Sequence, residues 1–329
     1  MTVKTSTIPK SYLLRRVHSI LGLMIVLFLI EHLLTNSQAA LLFGENGSGF
    51  IRAVNFIKNL PYLPFLEIFL IGVPILVHGG LGIKYALTGK SNSWPSRGDK
   101  PSLTSYPRNH AYTWQRITSW LLLVGIILHV GYMRFYRYPD YARVGDRDFY
   151  FTRLDLDPGL YTVAPRLGVQ LYSYDQVEQH RELLQKKLSQ NIHVDHLDTS
   201  MDTFNQNLEN ALTKEQDAQQ HTRWLEGLTK KHLTINQVVA VSPDFGTATL
   251  LMVRDAFKSP FKAMLYTVFV LATCFHAFNG LWTFCITWGW VIRARSQARL
   301  VNVCVGIMVL IAFFGLASIW GTYWLNLAR

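Results

Sequence analysis

Five apolar runs constrain this chain more than any other feature, at residues 17–42, 62–87, 112–136, 261–292 and 300–327. A bilayer's hydrocarbon core, about 30 Å thick, is crossed by roughly 20 helical residues. Inside it each backbone N–H and C=O needs a partner within the segment, so runs of this kind form helices. The expected fold class is therefore an all-α integral membrane protein with five transmembrane helices. The first run follows a basic N-terminus and ends near "NSQAA", which has the outline of a signal peptide and its cleavage site. The role that His32 acquires below argues against that reading.

Lys and Arg in the short connections set the orientation. Lys4, Lys10, Arg15 and Arg16 precede the first helix, while Lys84, Lys90, Arg97, Lys100, Arg108 and Arg116 lie at or between the second and third. Arg293, Arg295 and Arg299 separate the last two, and Asp99 is the only acid among all these basic groups. That side is expected to be cytoplasmic, with the chain in a cell's inner membrane, its N-terminus inside and its C-terminus outside. The formal charge of +11 is thus a matter of membrane sidedness and not a nucleic-acid signal.

The segment 140–259 joins the third and fourth helices on the outer side and carries 17 acidic and 13 basic residues. It is too long for a structureless loop in a compact protein. Leu197, Met201, Phe204, Leu208 and Leu212 recur at helical spacing. The expectation is a mostly helical external insertion, with an antiparallel helical pair drawn from 176–232. The domain plan is then 1–139 with helices one to three, 140–259 as the insertion, and 260–329 with helices four and five. Cys274, Cys285 and Cys304 all lie in apolar runs, so no disulfide framework is suggested, and no CxxCH motif exists for covalent haem attachment.

Each of the first four helices holds a histidine well inside it: His32, His78, His129 and His276. Polar groups at bilayer depth are costly and mark function by default. Helices one and three run outward, and at 1.5 Å per residue His32 and His129 lie roughly 22–26 Å from their inner ends. Helices two and four run inward, which places His78 and His276 in the inner half. Two pairs at two depths, without cysteine, meet the requirement for bis-histidine ligation of two b-type haems. Gly22, Gly79, Gly80, Gly82, Gly125, Gly131 and Gly280 supply small surfaces near these depths. His18 and His110 lie near the inner rim, as solvated groups or haem-propionate partners. His193 and His196 share an HxxH spacing without an evident third ligand, so a solvated helix face is the expected reading.

Several stretches carry a family resemblance: "RRVHSILG" (15–22), "EHLLTN" (31–36), "LEIFLIGVPILVHGGLGIKYALTGK" (66–90), "WQRITS" (114–119), "LHV" (128–130) and "FHAFNGLWTFCITWG" (275–289). Together with the four histidines they resemble the cytochrome b membrane anchor of succinate dehydrogenase and fumarate reductase, of the five-helix, two-haem, single-polypeptide type. The resemblance implies a flavoprotein carrying FAD and an iron–sulfur protein as partners on the cytoplasmic side. Its membrane substrate is a quinone, commonly menaquinone, and the dicarboxylate chemistry belongs to the partners. By motif, His32 and His129 hold the outer, lower-potential haem, and His78 and His276 the inner one. Glu67 matches a family carboxylate that takes up a proton at an outer quinone site. Glu31 is a second candidate there, although it departs from the family pattern. Arg15, Arg16, His18, Trp114, Arg116 and Asn279 are candidates for haem-propionate or partner contacts. The insertion is the main departure from the family. Two alternatives stay open: a two-haem anchor for another quinone-linked dehydrogenase, and a haem-free transporter whose histidines relay protons.

Overall fold

The computed structural model describes residues 8–40, 45–89, 93–95, 103–190 and 216–329. Five helices in it are long and apolar enough to cross a membrane: Lys10–Ser37, Leu63–Thr88, Pro107–Tyr136, Pro260–Thr287 and Ala294–Leu327. We call them spans 1 to 5. The chain is an all-α integral membrane protein in its dominant architecture. The spans begin and end somewhat differently from the apolar runs, because amphipathic rim residues such as Arg15 and Arg108 continue the helices past them.

The chain divides into two compact units. The first comprises residues 1–41, 59–131 and 260–321, and is the helical bundle. Span 1 packs against spans 2, 4 and 5, and span 4 also packs against spans 3 and 5. Small residues permit the close approaches: a Cβ on Gly315 would lie 2.6 Å from Val270 Cγ1. Span 2 contains a π-helical turn at Glu67–Gly72, immediately before Pro74. Proline lacks an N–H and its ring crowds the carbonyl four residues back. The turn before it widens, and Val73 N–H bonds to Ile68 O, five residues earlier. Further π turns occupy Gly131–Tyr136 and Thr322–Leu327.

The second unit comprises residues 42–58, 132–259 and 322–329. It holds a four-stranded antiparallel sheet in the order β1-β2-β4-β3, with β1 Asp140–Val144, β2 Arg147–Asp155, β3 Gln170–Ser173 and β4 Gln237–Ser242. Strands β1 and β2 form a hairpin in which Val144 pairs with Arg147, leaving Gly145 and Asp146 as the loop. Gly145 has φ +59°, as the first position of a type II′ turn requires. Helices fill out the unit at Leu160–Arg166, Tyr174–Gln190, 216–229 and Phe245–Phe257. One apolar cluster joins Phe151, Val239 and Val241 of the sheet to Val177, Leu228 and Leu233, with Trp224 packed against it.

The helical pair expected from 176–232 is present as Tyr174–Gln190 and 216–229. The apolar stripe from Leu197 to Leu212, and His193 and His196, lie outside the described residues. The sheet was not anticipated. A buried ionic cluster lies beside it. The Arg254 guanidinium donates to Asp157 Oδ2 at 2.8 Å and Oδ1 at 2.7 Å, and its Nε donates to Leu327 O. Arg137 pairs with Asp255, and Lys258 reaches both acids.

Candidate functional site

The bundle brings the four histidines together as two pairs. His32 of span 1 and His129 of span 3 have ring centroids 6.0 Å apart, with planes at 81°. His78 of span 2 and His276 of span 4 stand 6.3 Å apart, with planes at 80°. All four are half-buried within the bundle. His18, which stacks on His78, precedes His32 by 14 positions on span 1, so the layers are about 20 Å apart along that helix.

The separations test what the pairs can hold. Two imidazoles sharing one proton would approach to about 2.9 Å between nitrogens, with ring centres about 5 Å apart. Two imidazoles end-on to one metal, with bonds of about 2.0 Å, put their centres about 6.2 Å apart. Both pairs match the second arrangement. Edge-to-face packing falls in the same range, and the hydrogen bonds of the rings bear on the choice between the two.

His78 Nδ1 lies 2.9 Å from His18 O, and His276 Nδ1 lies 3.2 Å from Gln115 O. Each carbonyl can only accept, so each Nδ1 carries the proton and Nε2 keeps its lone pair for a metal. His129 Nδ1 lies 3.1 Å from the Tyr266 hydroxyl. Plain packing does not call for Nδ1–H on both His78 and His276, whereas metal ligation through Nε2 does.

Surrounding side chains hold the pair His78 and His276 in place. The His18 ring stacks on His78 with centroids 3.9 Å apart and planes at 10°. Its own Nδ1 is buried without a hydrogen-bond partner among the described residues. Gln115 Nε2 donates to His276 O at 3.0 Å, and Asn279 Nδ2 donates to Gln115 Oε1 at 2.8 Å. Thr118 Oγ1 lies 3.4 Å from His276 Nδ1. Among the described residues no group of three or more His, Cys, Asp or Glu side chains could hold a metal. A metal at either pair would take two protein ligands, with the remainder supplied by a planar macrocycle. The residues present fit a b-type haem at each pair.

The remaining candidates fall in different places. Arg116 donates from Nη2 to Ala86 O at 2.6 Å and Gly89 O at 2.9 Å, which closes the C-terminal end of span 2. Arg16 lies over the rings of Tyr12 and Trp288. Arg15 and Trp114 are exposed. His110 bonds through Nε2 to Thr104 O. Glu67 opens the π turn of span 2 and is half-exposed, and turns of this type recur at functional sites. Glu31 is exposed and accepts from Thr35 Oγ1 at 2.9 Å.

Sequence reading missed Gln115, Thr118 and Tyr266 as supports. The first two stood within a quoted motif, "WQRITS". Tyr266 precedes His276 by ten positions on span 4, about 15 Å along the helix toward the layer of His32 and His129. That arithmetic would have set it level with His129.

Fold and site together define a class: a five-span helical membrane protein with two histidine pairs in separate layers of its bundle. Over 311 residues the chain is 24% identical to the succinate dehydrogenase cytochrome b558 subunit of Bacillus subtilis (strain 168), covering 94% of this chain and 96% of that protein. No protein-family model matches the chain, and no solved structure matches it.

Proposed function

We propose that this chain is the cytochrome b membrane subunit of a succinate:quinone oxidoreductase, holding two haems b and carrying electrons between a membrane quinone and cytoplasmic flavoprotein and iron–sulfur subunits. One observation carries the reading: two imidazole pairs, 6.0 and 6.3 Å apart, in which His78 and His276 give Nδ1–H to backbone carbonyls and keep Nε2 for a metal. The near full-length similarity to a succinate dehydrogenase cytochrome b558 subunit supports the choice of complex.

His32 and His129 ligate the outer haem, and His78 and His276 the inner one. Bound haem supplies one-electron chemistry between ferrous and ferric iron. The chain supplies position and electronics. Donation from Nδ1 to His18 O and Gln115 O fixes two ring orientations and raises the basicity of Nε2. The orphaned Nδ1 of His18 is suited to a propionate carboxylate.

Glu67 takes up the proton released when quinol is oxidised near the outer end of span 2, with Glu31 as a second acceptor. The quinone is assigned as menaquinone, which is common in this type. The basic connections face the cytoplasm, where the partner subunits dock. Moving one charge across the membrane potential is worth roughly 2.3 kcal/mol per 100 mV, so electron passage between the layers couples the reaction to membrane energy.

The test is to purify the chain in detergent with its accompanying subunits, count haem per polypeptide, and assay succinate–quinone electron transfer. Two b-type haems, one lost in His78→Ala, with a flavoprotein and an iron–sulfur protein co-purifying, are expected. A colourless but assembled preparation would overturn the reading.

A further inference from the structure

The two layers differ in how their histidines are held. In the inner pair both Nδ1 protons go to backbone carbonyls, His18 O and Gln115 O, which no side-chain substitution removes. In the outer pair the Nδ1 of His129 meets a side chain, the Tyr266 hydroxyl, at 3.1 Å. The His129 ring is also flanked by the rings of Tyr266, at 5.7 Å and 75°, and Phe269, at 6.0 Å and 37°. Phe269 is itself lodged against Gly125 of span 3, where a Cβ would come within 2.4 Å of its ring. Span 4 therefore presents to His129 a wall of two aromatic rings with one polar atom in hydrogen-bond reach.

We propose that Tyr266 is a positioning residue of the outer haem site, holding the plane of the His129 ring and setting the potential of that haem independently of the inner one. The inference rests on the proposed haem ligation. With Nε2 on iron, Nδ1 carries the proton and the phenol oxygen accepts it. This acceptor makes the imidazole a stronger donor to iron, which favours the ferric state. The protein thereby has one hydrogen bond by which one layer alone is adjusted.

The experiment is a redox titration of the purified complex in the wild type, Tyr266→Phe and Tyr266→Gln, with haem per polypeptide counted and the low-spin ferric EPR signals of both haems recorded. Tyr266→Phe is expected to keep two haems, to raise the outer midpoint potential and to alter the outer EPR signal, with the inner haem unchanged. Tyr266→Gln, which offers an amide oxygen, is expected to bring the midpoint back toward the wild-type value. Loss of the outer haem alone in Tyr266→Phe, with recovery in Tyr266→Gln, supports the same assignment. Two bound haems with unchanged potentials and EPR signals would overturn it, as would equal shifts in both. Absence of haem from the wild type itself would instead remove the proposed function on which the inference rests.

Discussion

A Cβ placed on Gly22 would stand 2.9 Å from Cε1 and 3.1 Å from Nδ1 of His78. Neither atom is the end of a free side chain, because that ring is stacked on His18 and bonded to its carbonyl. On the proposed haem ligation, Gly22→Ala is therefore expected to displace His78 and lose the haem of that pair, with the spectrum of the His32–His129 haem intact. Retention of two haems with unaltered spectra would sink this expectation. At this scale the four ligand candidates were legible in the sequence, since a histidine inside an apolar run is costly at bilayer depth and so marks function. Their partners were less so. Arg116 and Asn279, candidates for contacts with a bound group, also close a helix end and tie span 4 to span 3. A sequence shows that a polar group is present at some depth, but not which carbonyl or amide lies across from it.

Among the elements, the helix Phe245–Phe257 shows how local chemistry fixes a boundary. Asp244 is its N-cap, accepting from Thr247 N at 2.9 Å, and it also accepts from Asn55 Nδ2 at 2.7 Å. Asn55 Oδ1 in turn receives Gly246 N–H, which ties the helix Ser48–Lys58 to the same corner. Asp244→Ala is expected to cost about 1–2 kcal/mol, read as a lowered Tm, while Asp244→Asn retains an acceptor and most of the stability. Equal losses in the two variants would count against the cap. The sheet was the element that sequence reading missed. "RVGDRDFYF" carries a Gly-Asp hairpin signal and "QVVAVS" is a short β-branched run. Runs of that length do not tell a strand from a buried helix until their pairing partners are known. β2 and β4 are about 80 residues apart in the chain. The π turn at Glu67–Gly72 follows from Pro74, yet its placement of a carboxylate at the widened turn appears only in three dimensions.

At the scale of the whole molecule, the buried ionic cluster around Asp157 makes stability sensitive to acid. Burial alone would raise the Asp157 carboxyl, but the Arg254 hydrogen bonds and charge, with Lys258, outweigh it and hold it below the ordinary range. The folded state thus binds this proton less readily than the unfolded one. The stabilisation is complete above the usual aspartate value, about 4, and is lost as pH falls through the lower folded value. Removing one partner of a buried pair costs about 3 kcal/mol. Asp157→Asn is therefore expected to melt below the wild type at neutral pH, and the gap in Tm should narrow as pH is lowered toward about 3. A gap independent of pH would assign its cost to packing. Glycine has a part here too. A Cβ on Gly159 would fall 1.8 Å from Ala328 O, beside the Leu327 carbonyl that Arg254 holds. Gly159→Ala is expected to lower Tm by forcing out residues 327–329, and an unchanged Tm would show that this close approach is dispensable.

The sequence by itself determined that five helices span a bilayer, because apolar length and backbone hydrogen bonding leave no other solution. It also paired the histidines by depth, because helical rise converts position in a span into distance along the membrane normal. The tertiary structure decided what composition and spacing cannot encode: the carbonyls that fix the tautomers of His78 and His276, the ring separations of 6.0 and 6.3 Å, and the sheet of the second unit. Each of these depends on residues distant in the chain meeting at hydrogen-bond range, and only the packed fold specifies which ones meet.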